Sequence, residues 1–143
     1  MSTTASQQRT PALGQATTVR VGLIGFAVAY LALAGTMVFA PHVFYEDIGP
    51  FGVQNDHYLR DVATCYAAFA AVLLVAYRHV SWRVPVLCCL ALQSGLHAIN
   101  HLADIGAAHT HWLGPADFIS ITLATLALAW LAREAMRPLE VQR

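Results

Sequence analysis

The chain has 143 residues, a length that suits one domain, and 57% of them are hydrophobic against only 11% charged, with a mean hydropathy of +0.54. A soluble domain carries about a quarter charged residues, so an ordinary water-facing surface is excluded. Eight arginines balance eight acidic residues, and a net charge of zero argues against nucleic-acid binding through a basic face. Arginine replaces lysine throughout, which reads as a compositional bias of the genome without chemical meaning.

Residues 1–18, MSTTASQQRTPALGQATT, are polar and rich in Ser, Thr and Gln, the composition of a disordered tail. A membrane domain over 19–135 follows. Its first span, 21–40, has twenty residues without a charge, enough to cross a hydrocarbon core of about 30 Å. The run is too long for the apolar part of a signal peptide, and a cut after Ala40 would precede Pro41; it reads as a retained first helix. Further spans are expected at about 61–77, 84–107 and 115–132, with a short tail at 136–143. Pro85 and Pro115 then fall in the first turns of their helices, where a missing N–H costs little. Short connectors, RHVSWR at 78–83 and HTHWLG at 109–114, force antiparallel neighbours. The expected fold is all-α, an integral membrane antiparallel four-helix bundle.

The arginines orient it. Arg9, Arg20, Arg78, Arg83, Arg133, Arg137 and Arg143 fall on one side, and only Arg60 falls on the other, with Glu46, Asp47 and Asp56. Both termini are expected in the cytoplasm, with Tyr45, Trp82 and Trp112 at the interfaces. Gly22, Gly25 and Gly35 suggest close helix packing. Cys65, Cys88 and Cys89 lie in apolar runs with no CxxC spacing, and read as small buried residues rather than a disulfide framework.

One stretch stands against the apolar background: HAINHLAD, residues 97–104. Gln93, His97, Asn100, His101 and Asp104 follow spacings of three and four and so share a helix face. With a helix running to Ala107, His97 would lie about 15 Å and His101 about 9 Å below its end. Such a stripe is costly toward lipid and should point into the bundle. The second span brings His57, Asp61 and Cys65 at i, i+4, i+8, with Asp56 as the expected N-cap, and the fourth brings Asp117 and Ser120. The expectation is a polar pocket on the extracytoplasmic side, lined by His57, Asp61, His97, His101 and Asp104, with Gln93, Asn100, Asp117 and Ser120 around it.

Three chemistries fit these groups. The first is a hydrogen-bonded network that fixes helix packing without an ion. The second is a divalent metal site: His-x-x-x-His puts two imidazoles on successive turns, a third ligand would come from His57, Asp61 or Asp104, and an open position would hold an activated water. The third is a proton relay or small-ligand pocket. Bis-histidine haem needs histidines on facing helices at one depth; the first and fourth spans have none, and His57 sits at the mouth of the second, so the pattern argues against haem. His42, His79, His109 and His111 read as loop or interfacial histidines, and Thr122 and Thr125 as bonding back to their own helix.

The layout resembles the DoxX-like and related small bacterial membrane proteins over about residues 20–135. The resemblance rests on a glycine-bearing first helix, the PHVFYEDIGPFG loop, an N-x-H-x-x-x-D start to the second span and an Arg/Trp connector. It implies the four-helix membrane fold and a place in the bacterial inner membrane. Some members are associated with membrane redox complexes, but the group supplies no catalytic residues to carry over. The functional expectation is therefore a non-enzymatic membrane component, as an accessory subunit, with the bilayer and a homo-oligomeric or membrane-complex partner around it. The rivals are a metal-dependent enzyme or redox subunit using His97 and His101, and a proton or small-solute carrier.

Overall fold

The computed structural model describes residues 11–137, an all-helical chain. Five helices follow in order: α1 (Pro11–Phe39), the short α2 (Pro41–Asp47), α3 (Asp56–Arg78), α4 (Val80–Ala103) and α5 (Leu113–Met136). The four long ones are each long and apolar enough to cross a membrane. They run alternately up and down. One end of the bundle carries the start of α1, the end of α5 and the α3–α4 corner, here the terminal end; the other carries α2 and the α4–α5 loop, here the α2 end.

Helix boundaries depart from the expected spans in ways that matter. Residues 11–18 belong to α1; Ala and Gln are good helix formers, and Thr18 folds its hydroxyl back onto the Gly14 carbonyl at 2.9 Å. The rest of the expected tail, 1–10, and the C-terminal 138–143 lie outside the described residues. The six-residue connector 78–83 shrinks to a single extended residue, His79, between two helices. Because α4 starts at Val80, Pro85 lies inside it rather than in its first turn, and leaves the Ser81 carbonyl without its usual intrahelical donor. The α3 N-cap is Asn55, not Asp56: its side chain accepts the Tyr58 N–H at 3.1 Å. At its far end α4 stops at Ala103, with Asp104 as C-cap, four residues before the expected end at Ala107.

Packing is closest within two antiparallel pairs, α1 with α3 and α4 with α5; lighter α3–α4 and α1–α5 contacts close the ring. At the terminal end all four helices share one core, including Val19, Leu23 and Ala27 of α1, Leu73 of α3, Leu87 and Leu90 of α4, and Leu128 and Leu131 of α5. Gly22 lets α1 approach α5 there: a Cβ on it would lie 2.5 Å from a Leu131 methyl. Gly25 and Gly35 have nothing within 4 Å and carry no such role. Toward the α2 end the core divides. Ala34, Met37 and Ala63 pack between α1 and α3 under Phe44 of α2, while Ser94, Ala98, Leu113 and Gly114 are buried on α4 and α5.

Two loops cap the α2 end. The 48–55 segment turns at Gly52, whose φ of +64° is a left-handed conformation that glycine adopts without a Cβ clash. The Tyr45 hydroxyl donates to the Gly52 carbonyl at 2.7 Å. Phe51 pairs with Ala108 in an antiparallel bridge, and the His109 N–H donates to the Pro50 carbonyl at 3.1 Å. The loop after α2 is thereby tied to the loop before α5.

Candidate functional site

The α4–α5 seam can be followed level by level toward the α2 end. At the first level Thr125 Oγ1 lies 3.0 Å from Ser94 Oγ and 2.9 Å from the Ile121 carbonyl, and Ser94 Oγ lies 3.5 Å from that carbonyl. Two hydroxyls and one carbonyl close a small triangle in which each polar atom has a partner. Thr122 likewise bonds back to Phe118 at 2.7 Å. One turn on, Ala98 is buried and keeps the seam narrow. The last level is tighter still, since a Cβ on Gly114 would lie 2.1 Å from the Ile105 carbonyl oxygen.

Between Ala98 and Gly114 sits a polar cluster of different character. The His97 and His101 rings meet edge to face, with centroids 4.7 Å apart and planes at 83°. The i, i+4 spacing on α4 brings them together, one turn apart on one side of the helix. Phe51, from the capping loop, also meets the His101 ring, with centroids 5.1 Å apart and planes at 90°. Asp117, in the first turns of α5, lies near enough to His101 for the two to interact electrostatically. His101 Nδ1 and Asp117 Oδ2 are both shut off from solvent, and neither has a hydrogen-bond partner among the described residues. A buried polar atom left unpaired costs about 1–3 kcal/mol, and nearly all such atoms in folded proteins find a partner in protein or water.

The shortened α4 also changes the depth of this cluster. Counted from Ala103, His97 lies about 9 Å and His101 about 3 Å from the helix end. The histidines are thus nearer the mouth of the bundle than the longer helix implied, with the Phe51 loop over them.

The other expected site residues lie apart. His57 Nε2 and Asp61 Oδ2 lie 3.4 Å apart at i, i+4 on an outward face of α3, with side chains 81% and 66% exposed. Cys65, one turn on, is exposed, as are Cys88 and Cys89, and all three thiols are free. Asp104 and Asn100 are exposed, Gln93 is half-buried, and the exposed Ser120 hydroxyl donates to the Asp117 carbonyl at 2.9 Å. Among the described residues no group of three or more His, Cys, Asp or Glu side chains is placed to hold a metal ion. The His97 and His101 rings meet, and His57, Asp61 and Asp104 do not join them in a group of three or more.

The loop histidines are engaged with their surroundings. His42 lies 3.2 Å from Glu46 and 3.1 Å from Gln54, and Gln54 donates to Asp56 at 2.7 Å. His109 packs edge-on against Tyr45, whose hydroxyl lies 3.3 Å from its Nδ1. Sequence reading missed Phe51 and Ser94 as site neighbours. Phe51 lies in an apolar loop far from His101 along the chain, and the backbone ties of 50 to 109 and 51 to 108 bring it there; Ser94 lies next to Gln93, which the spacing assigns to the polar face.

Neither a protein-family model, nor a curated protein, nor a solved structure matches this chain.

Proposed function

We propose that the chain is a multi-pass protein of the bacterial cytoplasmic membrane, both termini inside. In this reading it is a non-enzymatic membrane component of DoxX-like layout, with a small polar binding site at the outer end of α4 and α5. Seven of eight arginines lie on the terminal side by sequence, which supports that orientation. The site is His97, His101 and Asp117 under Phe51.

A single observation carries this reading: the two enclosed polar atoms, His101 Nδ1 and Asp117 Oδ2, have no hydrogen-bond partner among the described residues. A network that serves only packing satisfies its own members, as Ser94 and Thr125 do one level below. This pair has capacity left over. A carboxylate oxygen accepts only, whereas a ring nitrogen donates or accepts according to its tautomer. The complementary guest is small and carries a donor for Asp117 and either a donor or an acceptor for His101. Water meets that description, as does a small hydroxyl or amine solute. The nearness of the cluster to the helix ends gives such a guest a short path from the outer face, past the Phe51 loop.

The test removes both polar groups at once. In detergent-purified protein, the double variant His101→Phe/Asp117→Leu should unfold at the wild-type temperature or several degrees above it, because it takes away two unpaired groups without opening a hole. A drop of several degrees would show that the pair holds the helices together and would end the binding-site reading. Metal content measured by mass spectrometry on the wild type and on His97→Ala/His101→Ala separates the rival: about one metal per chain, lost in the variant, would replace this reading by a metal site.

A further inference from the structure

At the terminal end, on the side away from the His97–His101 cluster, a groove of about 370 Å³ runs between α1 and α3, lined by Thr17, Arg20, Val21, Ile24 and Tyr77. We infer that this groove is a binding site for the phosphate of an anionic phospholipid in the leaflet on the terminal side, with Arg20 and Tyr77 holding the phosphate and Val21 and Ile24 flanking the start of the acyl chains. The inference rests on the membrane reading given above.

The chemistry of the groove is polarised along α1. Arg20 is the last charged residue before the apolar run, and Val21 and Ile24 lie further along the helix, 66% and 36% exposed. The guanidinium carbon sits 4.6 Å from the centre of the Tyr77 ring, and Arg20 Nη2 donates to the Tyr77 hydroxyl at 2.8 Å. Stacking on an aromatic ring holds an otherwise flexible cation in one place. The phenol accepts from Arg20, so its own proton is available to another acceptor, and the guanidinium keeps further N–H donors. Among the described residues no carboxylate lies within ion-pair distance of Arg20; the one arginine that has such a partner is Arg137, bonded to Glu134 at 2.8 Å. The groove thus offers a fixed positive charge that no carboxylate among the described residues neutralises, with the Tyr77 phenol proton beside it at the polar end, and exposed aliphatic carbon at the other. The occupant that matches both ends is a phospholipid, and the leaflet on the arginine-rich side of a membrane is the anionic one.

Native mass spectrometry of the full chain, released from detergent with added phosphatidylglycerol or phosphatidylcholine, tests this. Wild type should retain one phosphatidylglycerol in preference to phosphatidylcholine. Arg20→Gln should weaken that binding about fivefold, the effect of one basic residue at a membrane surface. Tyr77→Phe keeps the ring and loses the hydroxyl, and should weaken it on the order of threefold. Arg78→Gln removes the same charge next door and should change it by less than about twofold, as expected for a site rather than for diffuse attraction. Equal loss in Arg20→Gln and Arg78→Gln, or no loss in Arg20→Gln, overturns the inference. So does displacement of the lipid by equimolar inorganic phosphate, which would make the groove a soluble-phosphate site. Alkaline carbonate extraction of cell membranes runs alongside: protein released by carbonate ends the membrane reading itself, whereas protein that stays while Arg20→Gln keeps its lipid ends only the lipid site.

Discussion

Toward the terminal end, four helices converge on a single apolar core in which Leu23, Leu73, Leu87 and Leu128 are fully enclosed. Toward the α2 end the same four helices pack as two separate pairs, and the α4–α5 pair ends in a histidine–aspartate cluster with two polar atoms that have no hydrogen-bond partner among the described residues. The halves are of similar length and come from the same helices, so helix propensity does not separate them. What separates them is which side chains point inward. A bundle that is well packed at one end can tolerate unsatisfied groups at the other, because the stability lost there is small beside that of the core; binding sites are drawn from such less stable regions.

The largest effect expected from this division falls in the terminal core. Leu87→Ala removes a fully enclosed side chain that touches a four-helix cluster, and should cost about 2–5 kcal/mol through lost transfer energy and the cavity left behind. Reversible unfolding in mixed micelles, followed by tryptophan fluorescence, measures it. If Leu87→Ala and the His101→Phe/Asp117→Leu pair lower stability equally, the two halves are not different in kind and the comparison fails.

Glycine substitutions sharpen the same contrast on a smaller scale. In Gly114→Ala the new methyl would meet the Ile105 carbonyl, a backbone atom, at 2.1 Å, and relief requires one helix end or loop to move. Overpacking of this kind costs about 1–3 kcal/mol. In Gly22→Ala the nearest atom, at 2.5 Å, is a methyl at the end of the Leu131 side chain, which can rotate away, so a loss in the lower part of that range is expected. Gly114→Ala should also disturb the Phe51–His101 contact, seen as a changed histidine ring signal by NMR, whereas Gly22→Ala should leave that signal in place.

Below these comes the satisfied part of the α4–α5 seam. Ser94→Ala or Thr125→Val opens the hydroxyl triangle at a distance of 3.0 Å. Interhelical hydrogen bonds between membrane helices are worth about 0.6 kcal/mol on average, and unfolding of either variant should show a loss of that order. A gain in stability would mean that the triangle is as poorly satisfied as the His101–Asp117 level above it.

Much of this architecture is written in local features. Four apolar runs, each about a helix long, announce four helices, and the short breaks between them announce antiparallel neighbours. The i, i+4 spacing that suggested His97 beside His101 describes a contact within one helix, and α4 supplies it. What the pattern does not carry is rotation of one helix against another. His57, Asp61 and Cys65 share a face of α3 as their spacing requires, but nothing in that spacing says which way the face turns, and it turns outward. Asp117 reads from the sequence as one of the groups around the pocket, because a lone acidic residue near a helix start looks like many others; the antiparallel register of α4 and α5 brings it near enough to His101 for an electrostatic interaction. The end of α4 is not legible in composition, because Ile105 and Ala107 continue the apolar run, while the helix stops where Asp104 caps it and the chain turns toward Pro50.

The smallest effect is expected at the outward-turned pair on α3. His57 and Asp61 are 3.4 Å apart and mostly exposed, and exposed pairs of this spacing contribute about 0–1 kcal/mol, reduced by salt. Asp61→Asn should therefore change stability by no more than about 0.5 kcal/mol in the isolated chain, measured by the same unfolding experiment. The sequence pattern groups these two with His97 and His101, so the variant asks whether the α3 face has any share in the site. A loss comparable to that of Leu87→Ala would mean that Asp61 is covered in the purified protein by a second copy of the chain, and the polar end would then be an assembly surface shared by α3, α4 and α5. A negligible change, together with an unaltered His101 ring signal, confines the site to the α4–α5 seam and the Phe51 loop, where the unpaired atoms are.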